Sequence, residues 1–497
     1  MATSEDESQQ SLEGLSNEPV KPVKTGFIYS PVFHKYLIFI LTIIGIFISY
    51  ILIPSETSRI SKLSLVSYVG LIIYVTSITS LFTIYLQRFW STYFASTRHL
   101  GLLSTLTIST LLLNVLTFSF SPYFSFLPSL AMLVRIFTNF QISLILSIVV
   151  TVSTYMFITN DVSVLAINLF SVIISIFSLA KIQQRADLVK SGVIISAVNI
   201  LLLGSIKIII SPTLDFNQFF NSMAWAAGTG IFSAVYSIGA LPFLESIFGL
   251  VTSFKLFELA NPNQPLLRQL MLKAPGTYQH SLIVGNLAEA AAEAINGDPL
   301  LTRVGAMYHD VGKMIRPYFF IENQQGLENQ HSKISPRLSA LVITSHVKEG
   351  IELAKEYKIP SIIIDFIPMH HGTSLVAYFF HQAKQTEKQE DVLEEHFRYP
   401  GPKPRTKETA ILMLADAAEA AVRAISKPSV EQIQKTIGKI IKARLEDGQL
   451  SEAPLTLVDL ERISTEFLRV LQSLYHSRIE YPSEEKIMKD LGRKIIK

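Results

Sequence analysis

The sequence of 497 residues contains no cysteine, which excludes disulfide bonds, thiolate metal sites and a cysteine nucleophile. Charged residues make up only 17% of the chain and the formal net charge is +3, so the charge balance does not indicate a nucleic-acid polymer as a partner. No convincing strand pattern follows residue 256. The absence of a strand pattern leads us to expect an all-α protein.

Long apolar runs fill the chain from residue 36 to about residue 250. Each is close to the roughly 20 residues that a helix needs to cross a hydrocarbon core about 30 Å thick. They predict about eight transmembrane helices, with the lipid bilayer as a partner, at 36–53, 64–86, 99–120, 124–138, 141–158, 163–180, 191–211 and 223–250. The short loops within 124–158 leave the count open there.

The composition divides the chain into three predicted parts. Residues 1–35 run from an acidic, Ser/Gln-rich start to a basic stretch, which is typical of a disordered cytosolic tail and lacks the charged start of a cleaved signal peptide. Residues 36–250 form the predicted transmembrane helical bundle. Residues 251–497 have the composition of a soluble domain, and we expect them to form an all-helical cytosolic domain with C-terminal helices.

Basic residues predict the orientation of the spans, because Lys and Arg accumulate in the cytoplasmic loops of membrane proteins. Eight spans would place both chain ends in the cytosol. The predicted inner loops and helix ends carry Arg88, Arg98, Arg135, Lys181, Arg185 and Lys190, whereas Arg59, Lys62 and Lys207 depart from the pattern. We therefore expect a multi-pass protein of the cell (inner) membrane, and a plastid membrane stays open.

Seven residues of metal-binding types stand in order in the predicted soluble domain, each in a segment with a helical pattern. They are His280, His309, Asp310, His346, His370, His371 and Asp416. Imidazole and carboxylate groups without thiolate suit Fe, Mn or Zn, and the set is large enough for two ions. A pair of divalent ions can share one hydroxide, polarise a phosphoryl oxygen and stabilise the leaving oxygen. The set therefore predicts phosphoester hydrolysis.

Two residues of this stretch are candidates for catalytic roles. Asp310 has two carboxylate oxygens and a neighbouring histidine, so we expect it to bridge the two ions. Lys313 follows by one helical turn and would face the same cavity, where it could bind a phosphate oxygen or assist the leaving group. We expect five other histidines not to bind metal, namely His34, His99, His381, His396 and His476. For His331, a position at the border of the pocket is an open alternative.

Several motifs of this stretch resemble those of a known family. Residues 308–313, Tyr-His-Asp-Val-Gly-Lys, resemble the defining motif of the HD metal-dependent phosphohydrolases. Asn-Pro-Asn at 261–263, Ala-Pro-Gly-Thr-Tyr-Gln-His-Ser at 274–281, His-His-Gly-Thr at 370–373 and Phe-Arg-Tyr-Pro-Gly-Pro-Lys-Pro at 397–404 resemble the membrane-anchored HD-domain phosphodiesterases that hydrolyse cyclic di-AMP. The multi-span region before these motifs is similar in layout.

The resemblance implies a ligand set, a cofactor and a reaction. One metal would take His280, His309, Asp310 and Asp416, and the other Asp310, His346, His370 and His371, with Asp310 as the bridge. The cofactors would be two Mn or Fe ions, and the reaction would open a 3′,5′ linkage of the second messenger cyclic di-AMP to give linear pApA. The relatives carry a sizeable extracellular domain after the first span, whereas residues 55–63 leave only a short loop here. Regulation is then expected to enter through the spans or the tail.

Other interpretations stay open. A different HD enzyme would hydrolyse guanosine tetraphosphate or cyclic di-GMP, although the Gly-Tyr-Pro companion motif of the cyclic di-GMP enzymes is absent and Arg398-Tyr399-Pro400 is the nearest match. A membrane sensor or scaffold with a silent metal site is the third alternative, and the complete ligand set disfavours it. A homo-oligomer is open as well. The choice of adenine over guanine rests on the resemblance alone.

Overall fold

The computed structural model describes residues 31–52, 65–159, 161–180, 184–210, 215–324, 328–386 and 392–475. Within these ranges it contains helices, one isolated antiparallel bridge between Leu375 and Arg398, and no strand. The predicted all-α fold class is therefore confirmed. Most of the predicted tail, the loop at 55–63, Arg59, Lys62, Lys181 and His476 lie outside the described residues. The chain divides into two compact units after Leu250.

The first unit is built from apolar helices. In chain order they are α1 (Pro31–Ile51), α2 (Leu65–Phe89), α3 (Ser91–Ala95), α4 (Thr97–Phe118), α5 (Leu127–Phe137), α6 (Phe140–Thr154, followed by a π-helical turn at Tyr155–Thr159), α7 (Val162–Ser178), α8 (Ala186–Ile210) and α9 (Phe216–Phe248). Among the described residues, six helices are long and apolar enough to cross a membrane, namely α1, α2, α4, α6, α8 and α9. The protein is thus a multi-pass membrane protein.

Two of the eight predicted spans are shorter than the sequence suggested. α5 covers only 11 residues of the span predicted at 124–138. With a rise of about 1.5 Å per residue it is roughly 16 Å long, so it does not cross the hydrocarbon core by itself. α7 has 17 residues, which is close to the lower limit for a transmembrane helix.

Residues 119–126 connect α4 to α5 and are not helical. Two of their backbone amides donate to side chains of helices. The Phe126 amide donates to Asn114 Oδ1 at 2.8 Å, and the Ser125 amide donates to Thr229 Oγ1 at 3.0 Å. Irregular backbone at membrane depth is tolerated where the protein satisfies it in this way. The segment and α5 together account for the region predicted as one span.

Contacts between helix ends define two ends of the first unit. Arg135, in the last turn of α5, donates to the Ala180 carbonyl after α7 at 3.4 Å. Tyr123 and Asp161 precede the same two helices, and the Tyr123 hydroxyl donates to Asp161 Oδ2 at 3.5 Å. The Lys207 ammonium lies 5.3 Å from the Tyr123 ring. Arg135 and Lys207 therefore lie at opposite ends of the unit.

The second unit consists of helices joined by loops and short 3-10 segments. Its α-helices are α10 (Ser253–Leu259), α11 (Pro265–Lys273), α12 (Pro275–Ala294), α13 (Pro299–Tyr308), α14 (Pro336–Glu356), α15 (Ser361–Ile364), α16 (Phe366–Met369), α17 (Ala377–Thr386), α18 (Lys407–Arg423), α19 (Val430–Glu446) and α20 (Leu457–Leu474). The 3-10 segments are Val311–Ile315, Pro317–Phe319, Ile321–Asn323, Gln330–Lys333 and Glu394–Phe397.

α12 and α18 lie at the centre of this unit. α12 begins with a proline in its first turn, and a capping box of two threonines begins α18. Ala288, Ala291 and Ala292 of α12 and Ala415 and Ala418 of α18 are buried in one apolar core. Side chains this small let the two helix axes approach closely, so that short polar side chains on facing positions can meet.

Candidate metal centre

All seven predicted ligand residues meet at one site in the second unit. Helix interiors contribute His280 on α12, His346 on α14 and Asp416 on α18, and helix ends contribute His309 and Asp310 after α13 and His370 and His371 after α16. The prediction that every one lies within a helix is therefore wrong for the adjacent pairs. Successive side chains of a regular helix point about 100° apart. Adjacent residues can therefore direct both side chains at one site more easily where the helix ends.

The side chains form two groups that share Asp310. Within each group, one potential ligand atom of every member lies within 4.8 Å of the others. The first group is His280, His309, Asp310 and Asp416, and the second is Asp310, His346, His370 and His371. Asp310 Oδ2 lies 3.1 Å from His309 Nε2, and Oδ1 lies 3.4 Å from His346 Nε2. One carboxylate thus faces two potential cation sites.

Hydrogen bonds set the tautomer of three histidines. The Nδ1 atoms of His309, His346 and His370 each lie 2.6 Å from the backbone carbonyl three residues earlier. A carbonyl only accepts, so each Nδ1 carries a proton, and Nε2 presents its lone pair when the ring is neutral. Among the described residues, these three Nε2 atoms and Asp310 Oδ1 are buried without a hydrogen-bond partner. Such atoms are costly to bury, and divalent cations would satisfy them.

The charge states of the two groups differ. Burial lowers the pKa of His370 to about 3, and burial also lowers the pKa of His346 and, further, that of His371. These imidazoles are neutral at physiological pH, the form in which histidine binds metals. In the first group, burial opposes the charged form of His309, but the charge of Asp310 raises its pKa to about 10. A bound cation would take the place of that proton.

A carboxylate that the sequence prediction missed supports His280. Glu419 Oε2 lies 2.6 Å from His280 Nδ1, and Glu419 is fully buried. The other ring nitrogen, Nε2, lies 3.0 Å from Asp416 Oδ1. Glu419 follows Asp416 by three residues on α18, so the two carboxylates share one helix face, and this spacing is the signal that could have revealed it. Histidines that bind metals commonly donate their second N–H to such a carboxylate.

We expect Glu419→Gln to weaken metal binding although it removes no ligand. The amide supports the His280 imidazole less strongly than a carboxylate does, and losing such an outer partner typically costs roughly 10–100-fold in metal affinity or activity. Elemental analysis after equilibration at graded metal concentrations measures the effect. Glu446→Gln, which changes an exposed carboxylate of α19, is the control. An unchanged metal affinity of Glu419→Gln would refute the role of this residue.

Lys313 contacts Asp310 directly. Its Nζ lies 2.6 Å from Asp310 Oδ2 and 3.0 Å from Glu322 Oε1. Burial opposes the charge of Lys313, but the two carboxylates raise its pKa, so the side chain is a cation at physiological pH. Gly312 is needed beside it, because a Cβ there would overlap the His346 carbonyl of α14. This close approach holds the turn of Asp310 and Lys313 against the second group.

Tyr399 is another contact that the sequence prediction missed. Its ring stacks on the His371 imidazole, with centroids 4.1 Å apart and an interplanar angle of 21°. Its position in the motif at 397–404 is the sequence feature that could have revealed this residue. His331, which the sequence left open, belongs to neither group, and its Nε2 lies 2.9 Å from the Phe319 carbonyl.

Comparison with known proteins finds similarity in both parts of the chain. Residues 65–252 match the family model described as "7TM receptor with intracellular HD hydrolase", and residues 277–421 match the HD domain. The cyclic-di-AMP phosphodiesterase PgpH of Bacillus subtilis is 40% identical over 365 residues, which cover 72% of this chain and 51% of the relative. The chain resembles the membrane-anchored HD-domain phosphodiesterases in both its membrane region and its HD domain.

A second relative and a solved structure show the same similarity. PgpH of Listeria monocytogenes is 39% identical over 357 residues, which cover 71% of this chain and 49% of the relative. The chain spans about half the length of the curated relatives it matches. A crystal structure of the L. monocytogenes PgpH HD domain in complex with cyclic-di-AMP is 46% identical, with a TM-score of 0.41, over 44% of this chain and 100% of that chain.

Proposed function

We propose that this protein is a membrane-bound phosphodiesterase that hydrolyses cyclic di-AMP to linear pApA. Water adds across one P–O3′ bond, so that one nucleotide gains a free 3′-hydroxyl and the other a terminal 5′-phosphate. The position of Asp310 between two groups of buried ligand atoms is the observation that carries this proposal. The activity named for the PgpH relatives supports cyclic di-AMP as the substrate.

The two groups of the candidate metal centre would hold two divalent transition-metal ions, Mn or Fe, with Asp310 shared between them. When bound, such ions lower the pKa of a water molecule and stabilise charge on the phosphoryl group. Lys313 would bind a phosphate oxygen. Its Nζ lies 2.6 Å from Asp310 Oδ2, so its charge lies beside the carboxylate that the two groups share.

Hydrolysis by the purified full-length protein in detergent tests this function. With Mn or Fe present, we expect cyclic di-AMP to be converted to pApA faster than cyclic di-GMP or guanosine tetraphosphate is hydrolysed, as measured by chromatography of the products. Preference for either of the other two nucleotides would identify a different HD enzyme. No turnover of any of them by metal-loaded protein would favour the silent sensor.

We also propose that eight crossings of the cell (inner) membrane place the second unit in the cytosol. Within the described part of residues 65–252, α2 and α4 to α9 are seven apolar helices of ten residues or more, and α1 precedes them. The separation of Arg135 from Lys207 supports this orientation, because Arg135 belongs to the predicted inner end. α5 would complete its crossing with the segment at 119–126, in which Tyr123, Phe124 and Ser125 are buried.

Reporter fusions that fluoresce only in the cytosol test this topology. We expect bright fusions at residue 30, near residue 186 and at the C-terminus, and a dark fusion near residue 160, because the predicted inner loops hold most of the basic residues. An odd number of crossings would give a dark C-terminus. That result, or a bright fusion near residue 160, would contradict the proposed orientation.

A further inference from the structure

Arg444 of α19 reaches the turn that follows His370 and His371. Its Nη1 donates to the Ser374 hydroxyl at 2.7 Å. Ser374 belongs to the same turn as His371, because its amide donates to the His371 carbonyl at 3.0 Å. The Ser374 carbonyl in turn accepts the amide of Tyr399 at 3.0 Å. The guanidinium group is therefore anchored beside His371 and the ring that stacks on it.

The charge of Arg444 has no carboxylate partner at contact distance. Across the residues that the structure describes, no Asp or Glu oxygen lies within 4.0 Å of its guanidinium, whereas Arg398, which contacts the same turn, pairs with Asp447 at 3.0 Å. The hydrogen bond to Ser374 uses one guanidinium nitrogen, and arginine offers five N–H donors and stays charged in proteins. Arg444 thus retains donors for an anionic ligand.

The metal centre opens towards solvent at two of its members. His280, His309, Asp310, His346 and His370 are buried, whereas Asp416 and His371 are partly exposed. Arg444 lies beside His371 through the Ser374 turn. Arg444 therefore lies beside one of the two members through which solvent reaches the centre.

We propose that Arg444 binds the second phosphate of the substrate, the one that is not cleaved. The inference rests on the proposed function, since a cyclic dinucleotide carries two phosphates and only one of them undergoes hydrolysis at a time. A guanidinium presents paired, coplanar N–H donors that match two phosphate oxygens. Holding the second phosphate orients the macrocycle so that the first phosphate meets the metal centre.

The test compares a substrate that has a second phosphate with one that lacks it. Full-length wild-type protein and Arg444→Ala are assayed with cyclic di-AMP and with bis(p-nitrophenyl) phosphate, a diester of a single phosphate. We expect KM for cyclic di-AMP to rise roughly 10–100-fold, as for the loss of a charge-assisted contact. For the single-phosphate diester, kcat and KM should stay within about two-fold of the wild-type values. Arg444→Lys keeps the charge and should recover part of the affinity.

Lys442→Ala is the matched control, because it removes a positive charge from the same helix at an exposed position next to Glu446. It should leave kcat and KM unchanged for both substrates. Equal losses of Arg444→Ala on the two substrates would indicate a structural role and overturn the inference. An unchanged KM for cyclic di-AMP would overturn it as well.

The wild-type measurements separate this inference from the proposed function. If the wild-type protein hydrolyses cyclic di-GMP instead of cyclic di-AMP, the proposed substrate is wrong, and the effect of Arg444→Ala on cyclic di-GMP decides the inference. If wild-type and Arg444→Ala proteins hydrolyse cyclic di-AMP alike, the function stands and the inference falls. If neither cyclic dinucleotide is hydrolysed, both are wrong.

Discussion

Asp310→Ala should abolish hydrolysis and lower the metal content from two ions per chain to one or none. Asp310 is the member that both groups share, and its side chain is only 1% exposed. Removing it withdraws a potential ligand from both sites at once, so the loss of activity should exceed the roughly 10–100-fold that an outer partner costs. Elemental analysis of protein purified without chelator and product chromatography measure the two effects.

His396→Ala is the control for this substitution, because His396 is exposed and belongs to neither group. It should retain wild-type activity and metal content. Circular dichroism of Asp310→Ala should be unchanged, since Asp310 contacts polar groups and not the apolar core. A wild-type protein that reproducibly holds one ion or none would refute the dinuclear site. A fully active Asp310→Ala variant would refute the role of this residue.

Lys313→Met should lower kcat with little change in metal content. The side chain is a buried cation next to Asp310, and methionine has a similar length without the charge. If Lys313 stabilises charge on a phosphate oxygen during hydrolysis, its loss should cost roughly 10²–10³-fold in kcat, as for one donor of an oxyanion hole. Steady-state kinetics on protein of measured metal content provides the check.

Two further variants define what Lys313 does. Lys333→Met changes a lysine whose side chain is 56% exposed, and it should leave kcat unchanged. Lys313→Arg keeps the positive charge and should lose less activity than Lys313→Met. If Lys313→Met loses its metals together with its activity, the lysine positions Asp310 and does not act on the substrate. An unchanged kcat would rule out both roles.

The membrane helices could be predicted from the sequence because a long apolar run is a local property that needs no partner. α5 shows the limit of this argument. The apolar stretch at 124–138 reads as one span, yet α5 begins only at Leu127. The reason is non-local, since Asn114 and Thr229 bind the backbone before α5 and so allow it to leave the helical conformation.

The site shows the same division between local and distant information. The residue types of the seven candidate ligands and the spacing of Asp310 and Lys313 are visible in the sequence. Glu419 was missed because its partner, His280, lies 139 residues earlier in the chain. Tyr399 was missed because its stacking on His371 depends on how the motif at 397–404 folds back onto the turn after α16.

By itself the sequence determined the fold class, the membrane character and the residues that can bind metal, because hydropathy and ligand chemistry belong to each residue. Only the tertiary structure decided which nitrogen of each histidine faces the site. Backbone carbonyls hold Nδ1 of His309, His346 and His370, and the buried Glu419 holds Nδ1 of His280. These contacts, and the division of the two Asp310 oxygens between two groups, depend on packing between distant segments.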